Sequence, residues 1–165
     1  MKKLLTVLVV FSNLFCAASF GAINTRNMVR TGASCADFIV GMKGNSVYKL
    51  SDFLGKGDII IAFTDTGTDS TAFRNTVKNS IKSLPGNNTI WFNITYDTGH
   101  AVVEAISGGL GLRYRTLSSN IPKMYRFPCM PSVIILDKSG VVQFVYNGYS
   151  PTVMTDISNW LLHIK

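Results

Sequence analysis

Ile59-Ile60-Ile61-Ala62-Phe63-Thr64-Asp65-Thr66-Gly67-Thr68-Asp69-Ser70-Thr71-Ala72-Phe73 is the stretch on which the fold turns. Its first five residues form an unbroken apolar run rich in β-branched side chains, which suits a central strand covered on both faces. The polar residues Thr64 to Thr71 follow. Phe73, Val77, Ile81 and Leu84 then recur at spacings of four, four and three, so one helical face is apolar and faces a core. Thr68, Asp69 or Ser70 is expected to cap the first turn, and Pro85-Gly86 to end the helix. A buried strand running directly into an amphipathic helix is the first half of a β-α-β unit.

Further along the chain, Thr89 to Tyr96 reads as a strand with Ile90, Phe92 and Ile94 on one face. His100 to Ile106 reads as a helix through Val102, Val103 and Ile106, ended by Gly108-Gly109. Leu110 to Leu117 fits either period, and Ile121 to Phe127 suits a short helix. Ser132 to Leu136 is another buried strand, Asp137 to Gly140 a turn, and Val141 to Tyr146 an antiparallel return. Ser150 and Pro151 open a last helix whose buried stripe is Val153, Ile157, Trp160, Leu161 and Ile164. On the N-terminal side, Phe38-Ile39-Val40 and Val47 to Leu50 flank the turn residues Lys43 to Ser46, a β-hairpin. Ser51 caps a short turn through Leu54, and Gly55-Lys56-Gly57 breaks it. The order predicts one α/β domain with a mixed central sheet flanked by helices, entered through an N-terminal hairpin.

The 165 residues suit a single domain, and 47% hydrophobic with 15% charged residues rules out a disordered chain. The formal charge of +7 is scattered, without a basic run interleaved with aromatics, so nucleic acid is not an expected partner. Residues 1–21 read as a signal peptide: Lys2 and Lys3, then an apolar stretch from Leu4 to Phe15, then small residues, with cleavage within 18–22. The stretch is short of the ~20 apolar residues of a membrane span, so no stable span is expected after cleavage. An uncleaved anchor and lipidation at Cys16 are the two alternatives. Residues 22–36 are a polar lead-in and 37–165 the domain. Export means a periplasmic or secreted protein, where disulfides persist. Cys35 and Cys129 remain in the mature chain, and nothing in their separation requires or forbids a bridge. No cysteine or histidine spacing suits a metal, and no cofactor is expected.

The hairpin followed by Leu50-Ser51-Asp52-Phe53-Leu54-Gly55-Lys56, and the segment Met130-Pro131-Ser132-Val133-Ile134-Ile135-Leu136-Asp137-Lys138-Ser139-Gly140, resemble TlpA-type thioredoxins and the alkyl hydroperoxide reductase/thiol-specific antioxidant group. The resemblance covers roughly residues 35–165. It implies a thioredoxin-like fold, a cis peptide before Pro131, and a site where the strand at 59–63 meets the next helix. There the resembling proteins carry C-x-x-C or a peroxidatic cysteine, because the helix dipole and its free N–H groups stabilise a thiolate. This chain has Thr68-Asp69-Ser70-Thr71 in their place. A hydroxyl needs a neighbouring base to become a nucleophile, and Asp69 adds negative charge. The resemblance thus implies a degenerate site, with Met130 and Pro131 as the residues that would guide an extended substrate chain.

Cys129, two residues before Pro131, is the candidate catalytic thiol, and Cys35 its one intramolecular partner. A structural bridge or a packed cysteine is the alternative, and a bridge would stabilise by roughly 2–4 kcal/mol. His100, near Asp97 and Glu104, reads as a surface residue starting a helix, and His163 as a helix-end residue. The Thr64–Thr71 loop suits either anion binding or plain capping. Gly108-Gly109-Leu110-Gly111 is no dinucleotide fingerprint. Phe127, Pro128 and Met130 form either an apolar lip or part of the core. Three functions follow from this reading. One is a thioredoxin-fold module without dithiol chemistry that binds extended segments of other exported proteins. Another is a thiol–disulfide oxidoreductase using Cys129, with or without Cys35, and a redox partner. The last is an interaction scaffold.

Overall fold

The structure, a computed structural model, describes residues 29–80, 89–106 and 110–163. The signal peptide, the lead-in up to residue 28, the helix end at Ile81 to Gly86, Gly108-Gly109 and Ile164 lie outside the described residues.

The apolar run becomes β3 (Ile59–Thr64), in which all six residues are buried. It feeds α1 (Thr68–Ser80), and the chain returns as β4 (Ile90–Asp97), parallel to β3 from Ile59↔Ile90 to Thr64↔Thr95. Its alternation is less simple than the sequence suggests: Trp91 and Asn93 are as buried as Ile90, Phe92 and Ile94, because β4 too is covered on both faces.

The chain then departs from the expectation. His100–Ala105 is not a helix but β5, antiparallel to β4 from Phe92↔Ala105 to Asp97↔His100. Thr98-Gly99 is the two-residue turn between them, with Gly99 at φ +80, the positive φ that a tight hairpin demands. Ala101 and Val103 point into the core while Val102 and Glu104 are half-buried on the other face, a period of two that suits β-branched valines. The undecided segment is β6 (Arg113–Leu117), paired with β5. A salt bridge of 3.0 Å joins Arg113 to Glu104 across this pair. Two 3-10 turns, Ser118–Asn120 and Lys123–Tyr125, stand where a short helix was expected.

β7 (Ser132–Leu136) runs antiparallel to β3, and β8 (Val142–Asn147) returns along it. The N-terminal hairpin is β1 (Ile39–Lys43) and β2 (Ser46–Lys49). It joins the sheet at β6 through a single register pair, Met42↔Arg113. The strand order is β2-β1-β6-β5-β4-β3-β7-β8. Ser51 does not cap the following turn: its hydroxyl donates to Asp37 (2.9 Å), and Asp52 accepts from the Lys49 N–H (2.7 Å).

Alternation along β3 divides the core. Ile60 and Ala62 meet Phe73 and Val77 of α1 and Val153, Met154, Ile157 and Leu161 of α2 (Val153–His163). Ile59, Ile61 and Phe63 face the other side, which is covered by the hairpin, the 3-10 turns and the lead-in. Both described helices therefore lie on one face. The lead-in is part of the fold: Val29 is buried, and Gly32 and Ala33 exchange backbone bonds with Val142.

Two tests follow. A Cβ at Gly41 would collide with Leu112, so Gly41→Ala is expected to destabilise by about 1–3 kcal/mol, read by urea denaturation. In the β7–β8 turn, burial pushes the Asp137 carboxyl up, but hydrogen bonds from Ser139, Val141 and Gln143 outweigh it and hold it below its ordinary 3.8. A depressed carboxyl stabilises above its unfolded pKa and loses that contribution as pH falls through the folded one. The stability difference between wild type and Asp137→Ala, about 1–2 kcal/mol at neutral pH after solvent screening, should shrink as pH drops below about 4. Denaturation at several pH values measures it.

Candidate functional site

The register Phe63↔Ser132 sets the C-terminal end of β3 beside the start of β7. The loop into α1 and the loop before β7 thereby come to the same end of the sheet. The Met130–Pro131 peptide is cis.

The start of α1 is built differently from the capping scheme expected. Gly67, not Thr68, Asp69 or Ser70, occupies the cap position, its carbonyl accepting from the Thr71 N–H and hydroxyl, each at 3.0 Å. Asp65 holds the loop by accepting from the Gly67 N–H (2.9 Å). Ser70 is fully buried and turns back to accept from the Asp65 N–H (3.1 Å). Arg74 donates to the Asp65 carbonyl and to the Thr71 hydroxyl (2.9 Å). Thr68 and Asp69 are exposed. The helix start thus carries alcohols, a carboxylate and a neighbouring guanidinium, with Thr71 and Ser70 already engaged. Nothing here supplies the nucleophile of a dithiol reaction.

Behind this loop sits a buried polar cluster that the sequence reading missed. The Thr64 and Thr95 hydroxyls lie 3.0 Å apart, and the Asn93 amide donates to Thr95 (2.8 Å). Buried polar groups must pair or be costly, and these three pair across β3 and β4. The sequence carried little signal for it, because Asn93 and Thr95 fall at the polar positions of an ordinary alternating strand.

On the proline side, the Cys129 carbonyl lies 2.6 Å from the Ser132 hydroxyl, and the Pro131 carbonyl accepts from the Gly148 N–H (2.8 Å). Gly148 takes φ +86 there, a conformation that glycine adopts without a Cβ penalty. Between them, the Met130 backbone N–H and carbonyl have no hydrogen-bond partner among the described residues. Phe127 stays half-buried against Phe63, ring centroids 4.9 Å apart, and Met130 packs on the same core. These residues therefore serve as packing and as lip at once.

Of the alternatives left open for the two cysteines, a Cys35–Cys129 bridge is the one the structure excludes. Cys129 is disulfide-bonded, but Cys35 is a free thiol. The Cys35 N–H donates to the Gly140 carbonyl (2.9 Å), beyond the far end of β7, whereas Cys129 precedes its near end. Five residues of strand span roughly 17 Å, against a Cα separation of about 7 Å at most in a disulfide. Cys35 instead sits beside Gly140 and packs against the core. Burial pushes its thiol up in pKa, opposed by the Tyr125 hydroxyl, which donates to the Ala36 carbonyl (2.8 Å). His100, expected at a helix start, opens β5 opposite Asp97.

The architecture now decides the fold. It is thioredoxin-like. No protein-family model matches the chain, and no curated protein matches its sequence. Solved structures do. A chain from Chlorobium tepidum assigned as a thiol:disulfide interchange protein DsbE is similar at 17% identity and TM-score 0.57, over 81% of this chain and 96% of that one. The thioredoxin domain of a thiol-disulfide oxidoreductase from Bacteroides vulgatus gives 12% and 0.55, over 81% and 99%. The reduced 2-Cys peroxiredoxin of Plasmodium vivax gives 15% and 0.52, over 81% and 96%. At such identities the likeness is one of fold.

A raised thiol pKa means less thiolate at a given pH. Alkylation of Cys35 by iodoacetamide should therefore reach half its limiting rate above pH 8.5, the ordinary cysteine value. Mass spectrometry of the modified peptide against pH checks this.

Proposed function

We propose that this is an exported thioredoxin-fold module that has lost dithiol chemistry and holds extended segments of other exported proteins at Met130-Pro131. One observation supports it above the others: a backbone N–H and carbonyl at Met130 without a partner among the described residues, next to the proline and at the end of the sheet where α1 begins without a thiol. Such a pair can bind an extended chain as a strand edge does, giving affinity without reaction. Among the described residues no helix is long and apolar enough to cross a membrane. Release to the periplasm or medium rests on the signal-like segment 1–21.

Thiol–disulfide exchange at Cys129 is the second reading, favoured by the place of that sulfur two residues before the proline. It proceeds without Cys35, which lies at the other end of β7.

One pair of measurements separates the readings. A photocrosslinking residue in place of Met130 should capture reduced, carboxymethylated lactalbumin, and excess unlabelled polypeptide should compete it away. In parallel, the mature protein should accelerate insulin reduction by dithiothreitol no more than its Cys129→Ser variant does. Cysteine-dependent acceleration would establish the exchange reading, and absence of competable capture would remove the binding one.

A further inference from the structure

A second concave site lies on the sheet face opposite α1. It is a cavity of about 290 Å³ lined by Tyr96, Ser118, Ser119, Arg126, Phe127 and Met130. Three distant parts of the chain build it: the end of β4, the 3-10 turn after β6, and the approach to Pro131. Its chemistry is one-sided. Arg126, Tyr96 and the two serines all offer hydrogen-bond donors, and no lining residue is acidic. Arg126 is exposed and has no carboxylate partner among the described residues. The Tyr96 hydroxyl is buried in the wall and has no hydrogen-bond partner among the described residues. Burial pushes its pKa up to about 12, with Arg126 opposing the rise, so at neutral pH it is a protonated donor close to that guanidinium. Phe127 and Met130 supply an apolar wall.

A rim of hydroxyls able to donate, with one cation and no acid, set beside an apolar wall, matches a ligand with an anionic head and a short apolar body. A planar carboxylate fits a guanidinium fork and a phenol together. The volume is at the low end for small-molecule pockets. We propose that this cavity binds a small carboxylate carrying a compact apolar group, its oxygens held by Arg126 and the Tyr96 hydroxyl and its body laid on Phe127 and Met130. The cavity shares Met130 with the proline loop but uses its side chain and not its backbone, so variants of Arg126 and Tyr96 test it separately from polypeptide capture at Met130.

The test is an amide-resolved NMR titration of the mature protein with 3-phenylpropionate, with 3-phenylpropionamide as the neutral control. The acid should bind at least tenfold more tightly and shift the amides of Tyr96, Ser118 and Arg126. Arg126→Gln, at an exposed position, should weaken it at least fivefold. Tyr96→Phe should also weaken it at least fivefold while leaving the melting temperature equal or higher, because it deletes a hydroxyl that has no partner. A purely structural tyrosine would show the reverse. Equal binding of acid and amide, no binding of either, indifference to both variants, or equal displacement by inorganic phosphate would each overturn the proposal. Gly-Gly-Gly-Phe with a free or amidated C-terminus identifies the source. Tighter binding of the free peptide than of phenylpropionate points to polypeptide C-termini, and the opposite order to free small acids. Either order is consistent with the carboxylate site.

Discussion

The pairing of β3 with β7 is the constraint from which the site follows. In that antiparallel register Phe63 faces Ser132 and Ile59 faces Leu136. The first pair brings the start of α1 and the Met130–Pro131 loop to one end of the sheet. The last sends the Asp137–Gly140 turn, and Cys35 with it, to the other. Slipping the register by one residue would turn Ile60 and Ala62 away from the helices and Ile61 toward them, so two well-packed faces fix it.

In this arrangement the loop into α1 and the loop before β7 stand at one end of a thioredoxin-like scaffold. The strand-to-helix junction retains its hydrogen-bonded order through Asp65, Gly67 and Arg74. Its side chains are hydroxyls, carboxylates and the Arg74 guanidinium, and the sulfur nearest the proline lies on the opposite loop. Fold similarity to oxidoreductases at 12–17% identity carries no chemistry across that substitution.

Much of the frame was legible in the sequence because it is written in local patterns. The β3 run, the α1 stripe at Phe73 and Val77, the turn at Asp137 and the closing helix each announce themselves within one element. The second half of the sheet was less legible. His100-Ala101-Val102-Val103-Glu104-Ala105 offers apolar residues at spacings that satisfy a helix, and its identity as a strand comes from Thr98-Gly99 and from pairing on both sides. The positions of Cys35 and Cys129 could not be read from spacing, because the intervening ninety-odd residues run the length of the sheet several times. The cavity around Tyr96 and Arg126 was hidden for a related reason: its residues converge only when β4, the turn after β6 and the proline loop are folded together. None of them breaks a local rule, apart from a tyrosine whose hydroxyl finds no partner among the described residues, at a cost of about 1–3 kcal/mol.

The single register pair joining β1 to β6 has its own consequence. Elsewhere the sheet is continuous, with five or six residues in register at β3–β4, β4–β5 and β5–β6. At the hairpin the ladder all but stops, and Phe38, Val40, Leu50 and Phe53 hold it in place by burial. That leaf can lift from the body by giving up side-chain contacts and one bridge, without unzipping the central strands. Once lifted, a two-stranded hairpin is marginal on its own, so exchange of the β1 and β2 amides is expected through this partial opening, and that of β3 through unfolding of the whole domain.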